Sequence, residues 1–192
     1  VLGVSSVKSK GIRKSQIVDL HAASEAITDS VDAAERMAGM NIHQAVVSVS
    51  GQHIQSLNSK GVVAVAQPTQ EITSEDVLRV IDAAKAVSLP SGKEILHVVP
   101  KNYKVDSQDG IKDPVGMSGI RLETEAHIIT ASITALKNIE KCMNELGIQV
   151  TEFVFSGLAA AEVVVTETEK ELGVVVVDIG AGTTSLCIFV EG

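Results

Sequence analysis

The 192-residue chain is 45% hydrophobic and 21% charged, enough to build a core for one large domain or two small ones. Its formal net charge of -8 argues against nucleic acid and anionic membrane surfaces as direct partners, and 2% aromatics with no Trp leave no stacking platform for single strands. Cys142 and Cys187 lack metal-type spacing and fit a reducing cytosol better than a disulfide scaffold, and no apolar run reaches the roughly eighteen residues of a membrane span.

In chain order, "VLGVSS" and the residues around "SQIVDL" predict short strands, separated by the basic loop "VKSKGIRK", which reads most simply as solvated. The start has no signal-peptide pattern and no Met, so the chain is expected to be a piece of a longer protein. In "DLHAASEAITDSVDAAERMAGM", Ile27, Val31, Ala34 and Ala38 recur at helical spacing; Asp19 can cap the start and Gly39 can close the end. "QAVVSVSG" at 44–51 returns to a strand, and this order predicts a βαβ unit.

The character changes from about residue 52 to 131. "HIQSLNSKGVVAVAQ" predicts a hairpin that turns at "NSKG". "ITSEDVLRVIDAAKAVSLP" predicts a helix with Thr73 as N-cap, Asp76 as capping-box acid and Ile72 stapled against Val77. Its buried stripe is Val77, Ile81, Ala84 and Val87, and Pro90 ends it. "KEILHVVPKNYKVDS" and "IRLETEAHIITAS" predict long strands linked by the polar loop "QDGIKDPVGMSG".

From 132 the alternation of strand and helix resumes. "TALKNIEKCMNELG" carries Leu136, Ile139, Met143 and Leu146 on one face, with Gly147 just past the end. "IQVTEFVFSG" predicts a strand, "LAAAEVVVT" a short helix, and the closing stretch two strands around a turn. The architecture expected is an α/β domain interrupted by an inserted α+β domain.

That closing stretch, "VVVVDIGAGTTSLCIFVEG", carries the most chemistry. Gly180 and Gly182 let backbone approach an anion closely, so that successive N–H groups can point at phosphate oxygens. Thr183 and Thr184 add hydroxyls, and Asp178 can hold Mg²⁺ through water. A plain hairpin whose glycines only make the turn fits the spacing equally well. Elsewhere "PSGKE" lacks the rest of a P-loop, "GMSG" is too short for a nucleophile elbow, and the five His residues are scattered.

"VVDIGAGTTSLCIF" resembles the second phosphate motif of the actin, heat-shock-chaperone and sugar-kinase ATPases, and "FSGLAAAEVVV" stands where that superfamily places a small-residue connecting helix. "MAGMNIHQAVVSVSGQHIQSLNSKGVVAV", "ILHVVPKNYKVDSQDGIKDPVGMSGIRLETEAHIIT" and "NIEKC…ELGIQV" look like the FtsA family of bacterial cell-division proteins. The match runs through essentially the whole chain, and "PVGMSGIRLE" is specific to that group.

The resemblance implies a partial actin-like (ribonuclease-H-like) ATPase domain, with 1–51 and 132–173 in subdomain IA. Residues 52–131 would form the inserted α+β subdomain IC, and 174–192 the first hairpin of IIA. It implies ATP and Mg²⁺, with Gly180, Ala181, Gly182, Thr183 and Thr184 at the phosphates and Asp178 at the metal. It implies a cytoplasmic scaffold at the inner membrane face, at most a weak ATPase, that links the FtsZ ring to the membrane. The implied partners are FtsZ, other protomers in a filament, and later division proteins through IC.

The implied FtsZ site, adenosine loops and membrane-binding helix belong to a second half, and the first phosphate motif lies upstream of Val1. Ala181 and Ser185 stand where the family often has Gly and Asp; Ala181 is expected to be tolerated where only its N–H is used, and Ser185 offers no carboxylate. A PilM-like pilus-assembly adaptor shares the core and a similar insert, but "DPVGMSGIRLE" favours FtsA. Actin-fold sugar and acetate kinases lack an insert of this type.

Overall fold

The computed structural model describes residues 1–65 and 71–191. The first elements are β1 (Ile12–Arg13), β2 (Gln16–Ile17), α1 (Leu20–Ala38), β3 (Gln44–Val49), β4 (Gln55–Ala64), α2 (Ser74–Lys85), β5 (Lys93–Val105) and β6 (Gln108–Ile111). They are followed by β7 (Arg121–Ser132), α3 (Ile133–Glu145), β8 (Gln149–Phe155), α4 (Ser156–Val164), α5 (Glu167–Leu172), β9 (Val174–Ile179) and β10 (Thr184–Phe189). The chain divides into two compact units, one of Val1–Ile54 with Ala131–Gly192, the other of Gln55–Thr130. No helix among the described residues is long and apolar enough to cross a membrane.

In the Gln55–Thr130 unit the sheet order is β4-β7-β5-β6. The hairpin expected at "NSKG" is absent, because β4 runs straight through it, paired antiparallel from Gln55↔Thr130 to Ala64↔Arg121. Leu57, Ser59, Gly61 and Val63 turn inward while Asn58, Lys60, Val62 and Ala64 face out, the unbroken alternation of one strand. Gly61 therefore makes no turn. A Cβ there would collide with the carbonyl oxygen of Val80 and lie 2.7 Å from the Ala84 nitrogen, so glycine lets α2 lie directly on the strand. Ala66 and Gln67 of the expected hairpin lie outside the described residues.

Helix α2 starts as its sequence dictates. The Thr73 hydroxyl accepts from the Asp76 N–H at 3.3 Å, and the Asp76 carboxylate accepts from the Thr73 N–H at 3.0 Å. Its buried side contains Val77, Ile81 and the fully buried Ala84 of the expected stripe, together with Val80, which is also fully buried. The helix stops at Lys85, before both Val87 and Pro90. Val80 joins Ile72, Val105, Ile111 and Leu122 in the core.

The polar loop expected between the long strands contains β6, paired back onto β5. Asp106 makes the reversal at φ 52, and its carboxylate accepts the N–H groups of Ile120 (3.1 Å) and Arg121 (2.9 Å). "PVGMSG" then straps the entry to α2: the Ile72 N–H donates to Met117 O and the Gly116 N–H to Ile72 O, each at 2.9 Å. Thr73→Ala is expected to cost about 1–2 kcal/mol by removing the reciprocal cap. Denaturant unfolding checks this, and an unmoved midpoint would contradict it.

In the other unit β3 and β8 pair in parallel from Gln44↔Gln149 to Val49↔Phe155. The expected βαβ unit therefore closes through α3 rather than around α1, because β1 and β2 pair only with each other among the described residues. The predicted strand "VLGVSS" is also absent: residues 1–10 have no regular structure, since no described strand lies beside them to pair their backbone. They run along α1, where a Cβ on Gly3 would sit 2.5 Å from Ala34 O.

The caps of α1 fall at Asp19, which accepts from the Ala22 N–H, and at left-handed Gly39. The expected stripe of Ile27, Val31, Ala34 and Ala38 is half-buried, while Ala23 and Ala26 lie deepest. Helix α3 ends in a Schellman arrangement: the Gly147 N–H donates to Asn144 O and the Ile148 N–H to Met143 O. Helix α5 is an addition to the expected elements. Its signal is the capping box of Thr166 and Glu169.

Candidate phosphate-binding hairpin

β9 and β10 are antiparallel, with Ile179↔Thr184 as the last pair and Gly180–Thr183 as the loop. Asp178 lies opposite Ser185, and strand alternation puts both on the same face as Cys187. That face packs on α4, whose Gly157 permits the approach, because a Cβ there would lie 2.8 Å from Cys187 Sγ. Ser185 is buried, with its hydroxyl 3.4 Å from that of Ser156. At the end of the same face Asp178 is exposed, and its carboxylate has no hydrogen-bond or ion-pair partner among the described residues.

The loop divides its N–H groups unequally. Gly180 donates to Thr183 O at 2.9 Å, so that N–H closes the turn. The N–H groups of Ala181, Gly182 and Thr183 donate to no acceptor among the described residues. Neither Gly180 nor Gly182 has positive φ. A Cβ on Gly180 would lie 3.2 Å from Thr183 O, a tight fit in the turn, whereas one on Gly182 would make ordinary contact with the Lys14 backbone at 3.5 Å.

A second turn abuts this one. β1 and β2 are joined by Lys14 and Ser15, at φ 50 and 59, in the left-handed region that a two-residue hairpin demands. A Cβ on Gly182 would lie 3.5 Å from the Lys14 Cα and N. The Ser15 hydroxyl lies 3.0 Å from the Thr183 hydroxyl, and the Ser50 hydroxyl donates to Ser15 at 2.9 Å. The basic loop is solvated as expected, with residues 7–14 exposed apart from Gly11, while its backbone is tied down: Gly11 O accepts from the N–H groups of Val18 and Asp19, and a Gly11 Cβ would lie 2.6 Å from Ala23 N. Local pattern could not have revealed these neighbours, because Ser15 and Thr183 stand 168 positions apart.

Three unpaired N–H groups in succession, a hydroxyl and an exposed carboxylate suit a phosphate chain with a hydrated divalent ion. No group of three or more His, Cys, Asp or Glu among the described residues could hold a metal by itself, so such an ion would keep most of its waters. Thr184 lies in β10 on the outward face, at the rim of the loop, rather than among the loop N–H groups. Burial raises the Cys187 pKa, which favours the protonated thiol over the nucleophilic thiolate. The loop is exposed, and two grooves among the described residues lie elsewhere, one between α1 and α3 and one on α3.

Residues 51–130 match the family model described as the SHS2 domain inserted in FTSA. The whole chain is 43% identical to the cell division protein FtsA of Pseudomonas aeruginosa and covers 46% of it. It is 41% identical to FtsA of Bacillus subtilis (44% covered) and 39% identical to FtsA of Escherichia coli K12 (45% covered), again over its full length. The chain thus spans about half the length of the curated relatives it matches. Among solved structures, a chain of the PilM-PilN type IV pilus biogenesis complex superposes with a TM-score of 0.57 at 17% identity, covering 92% of this chain and 47% of that one. Together these make the fold a partial actin-like domain with an α+β insertion.

Proposed function

Because the chain belongs to the FtsA family of cell-division proteins along its whole length, we propose that it is the nucleotide-gripping and partner-binding part of a division scaffold. The observation that carries this is the β9–β10 loop, where exposed Asp178 stands beside the unpaired N–H groups of Ala181, Gly182 and Thr183. In this reading the loop holds the phosphates of ATP and Asp178 holds the water shell of Mg²⁺. The bound nucleotide sets whether protomers polymerise. Segments outside these residues join FtsZ to the inner face of the membrane, and subdomain IC recruits later division proteins. The PilM-like alternative has the weaker support, 17% identity against 39–43% for the FtsA relatives.

The open, one-sided loop supports a further expectation. Titrated alone, the 192-residue chain should bind ATP no more tightly than about 1 mM, worth only about −4 kcal/mol. The full-length protein should bind far better, because it would surround the nucleotide. Calorimetry with Mg-ATP decides this. A micromolar dissociation constant in the isolated chain that survives Asp178→Ala would move the nucleotide site elsewhere.

The assignment of the insert has its own test. Residues 51–130 have a capped helix, a four-stranded sheet and a shared core, so they should unfold in one cooperative thermal transition when expressed alone. A featureless melt would refute that autonomy.

A further inference from the structure

We propose that the Lys14–Ser15 turn is a third wall of the same phosphate site, in which Lys14 supplies countercharge and Ser15 positions Thr183. This rests on the nucleotide reading above and adds groups that the β9–β10 hairpin does not contain. Ser50 donates to Ser15, so the Ser15 oxygen is already an acceptor and its own proton is free to go to Thr183, 3.0 Å away. Thr183 then accepts, and its proton is left to donate outward, towards an anion on the adjacent N–H groups. Aligned in this way, each hydroxyl polarises the next.

The Lys14–Ser15 turn is also strained. A two-residue hairpin with positive φ at both positions favours Asn-Gly, whereas this turn has Lys-Ser at φ 50 and 59. Left-handed backbone disfavours both residues. The surrounding contacts hold them there: a Gly51 Cβ would lie 3.0 Å from Lys14 O, and Gly182 abuts the Lys14 backbone from the other side. Lys14 is exposed and its ammonium has no ion-pair partner among the described residues. Its backbone is beside Gly182, so its flexible stem can reach an anion on the loop.

Strain and function make opposite demands, which provides the test. Replacing Lys14→Asn and Ser15→Gly together installs the turn's preferred residues, so the full-length protein should be as stable as the parent or more so. ATP affinity should nevertheless fall by about tenfold or more, while adenosine affinity stays unchanged. Ser15→Ala should lower ATP affinity less, and Lys14→Gln should flatten its salt dependence. An unchanged ATP affinity in the double variant, beside a loss in Asp178→Ala, overturns this inference and leaves the nucleotide reading standing. Unchanged affinity in both variants removes the nucleotide reading and this inference with it.

Discussion

Gly61→Val should unfold the Gln55–Thr130 unit. By propensity alone the change ought to help, since valine favours strands and Gly61 is in the middle of β4. Packing decides otherwise. A side chain at Gly61 points into α2, where the Val80 carbonyl and Ala84 nitrogen are helix backbone and cannot swing aside like the tip of a flexible side chain. Overpacking typically costs about 1–3 kcal/mol and more when backbone must move. A core of this size supplies only about 3–5 kcal/mol in all. Gly61→Ala should lose a substantial part of that, and Val all of it. Circular dichroism melts of the two variants settle the matter, and a Val variant with the parent's midpoint would mean that α2 does not rest on β4.

Gly182→Val should abolish most phosphate affinity with little loss of stability. Gly182 does not have positive φ, and a Cβ there would make ordinary contact with Lys14 at 3.5 Å, so alanine fits. A β-branched side chain adds methyl groups in the narrow space between the loop N–H groups and the Lys14 turn, where an anion must enter. The expected result is a loss greater than the roughly 10- to 100-fold of a single charge-assisted contact, with Gly182→Ala affected less. Nucleotide titration beside a thermal melt separates the two effects. A Val variant that binds normally would show that the phosphates do not touch this backbone.

The parts of the fold legible in the sequence are those that local chemistry decides. Asp19, Thr73 and Gly147 sit at helix ends because a side-chain acceptor or a left-handed glycine satisfies orphan backbone groups nearby. The misread parts depend on distant neighbours. Gly61 looks like a turn residue until α2 is laid across it. "VLGVSS" looks like a strand, yet a strand needs a partner to bond its backbone. The buried stripe of α2 holds at Val77, Ile81 and Ala84; it gains Val80, which meets Ile72 and Leu122, and loses Val87 because the helix ends at Lys85.

The site divides in the same way. Asp178 and the glycine loop are contiguous, so they could be read directly, and resemblance gave them a chemistry. The engaged N–H of Gly180 was invisible, because it is a detail of turn closure. Lys14, Ser15 and Ser50 were invisible for a different reason: only the folded chain brings them to Thr183.

The most direct measurement of the central claim is Mg-ATP affinity in the full-length protein with and without the Asp178 carboxylate. Asp178 is exposed and unpaired among the described residues, so Asp178→Ala should leave the unfolding midpoint where it was. The claim predicts roughly 10- to 100-fold weaker Mg-ATP binding, with much less effect when Mg²⁺ is withheld. Equal affinity in the parent and Asp178→Ala proteins, at equal stability, would contradict it.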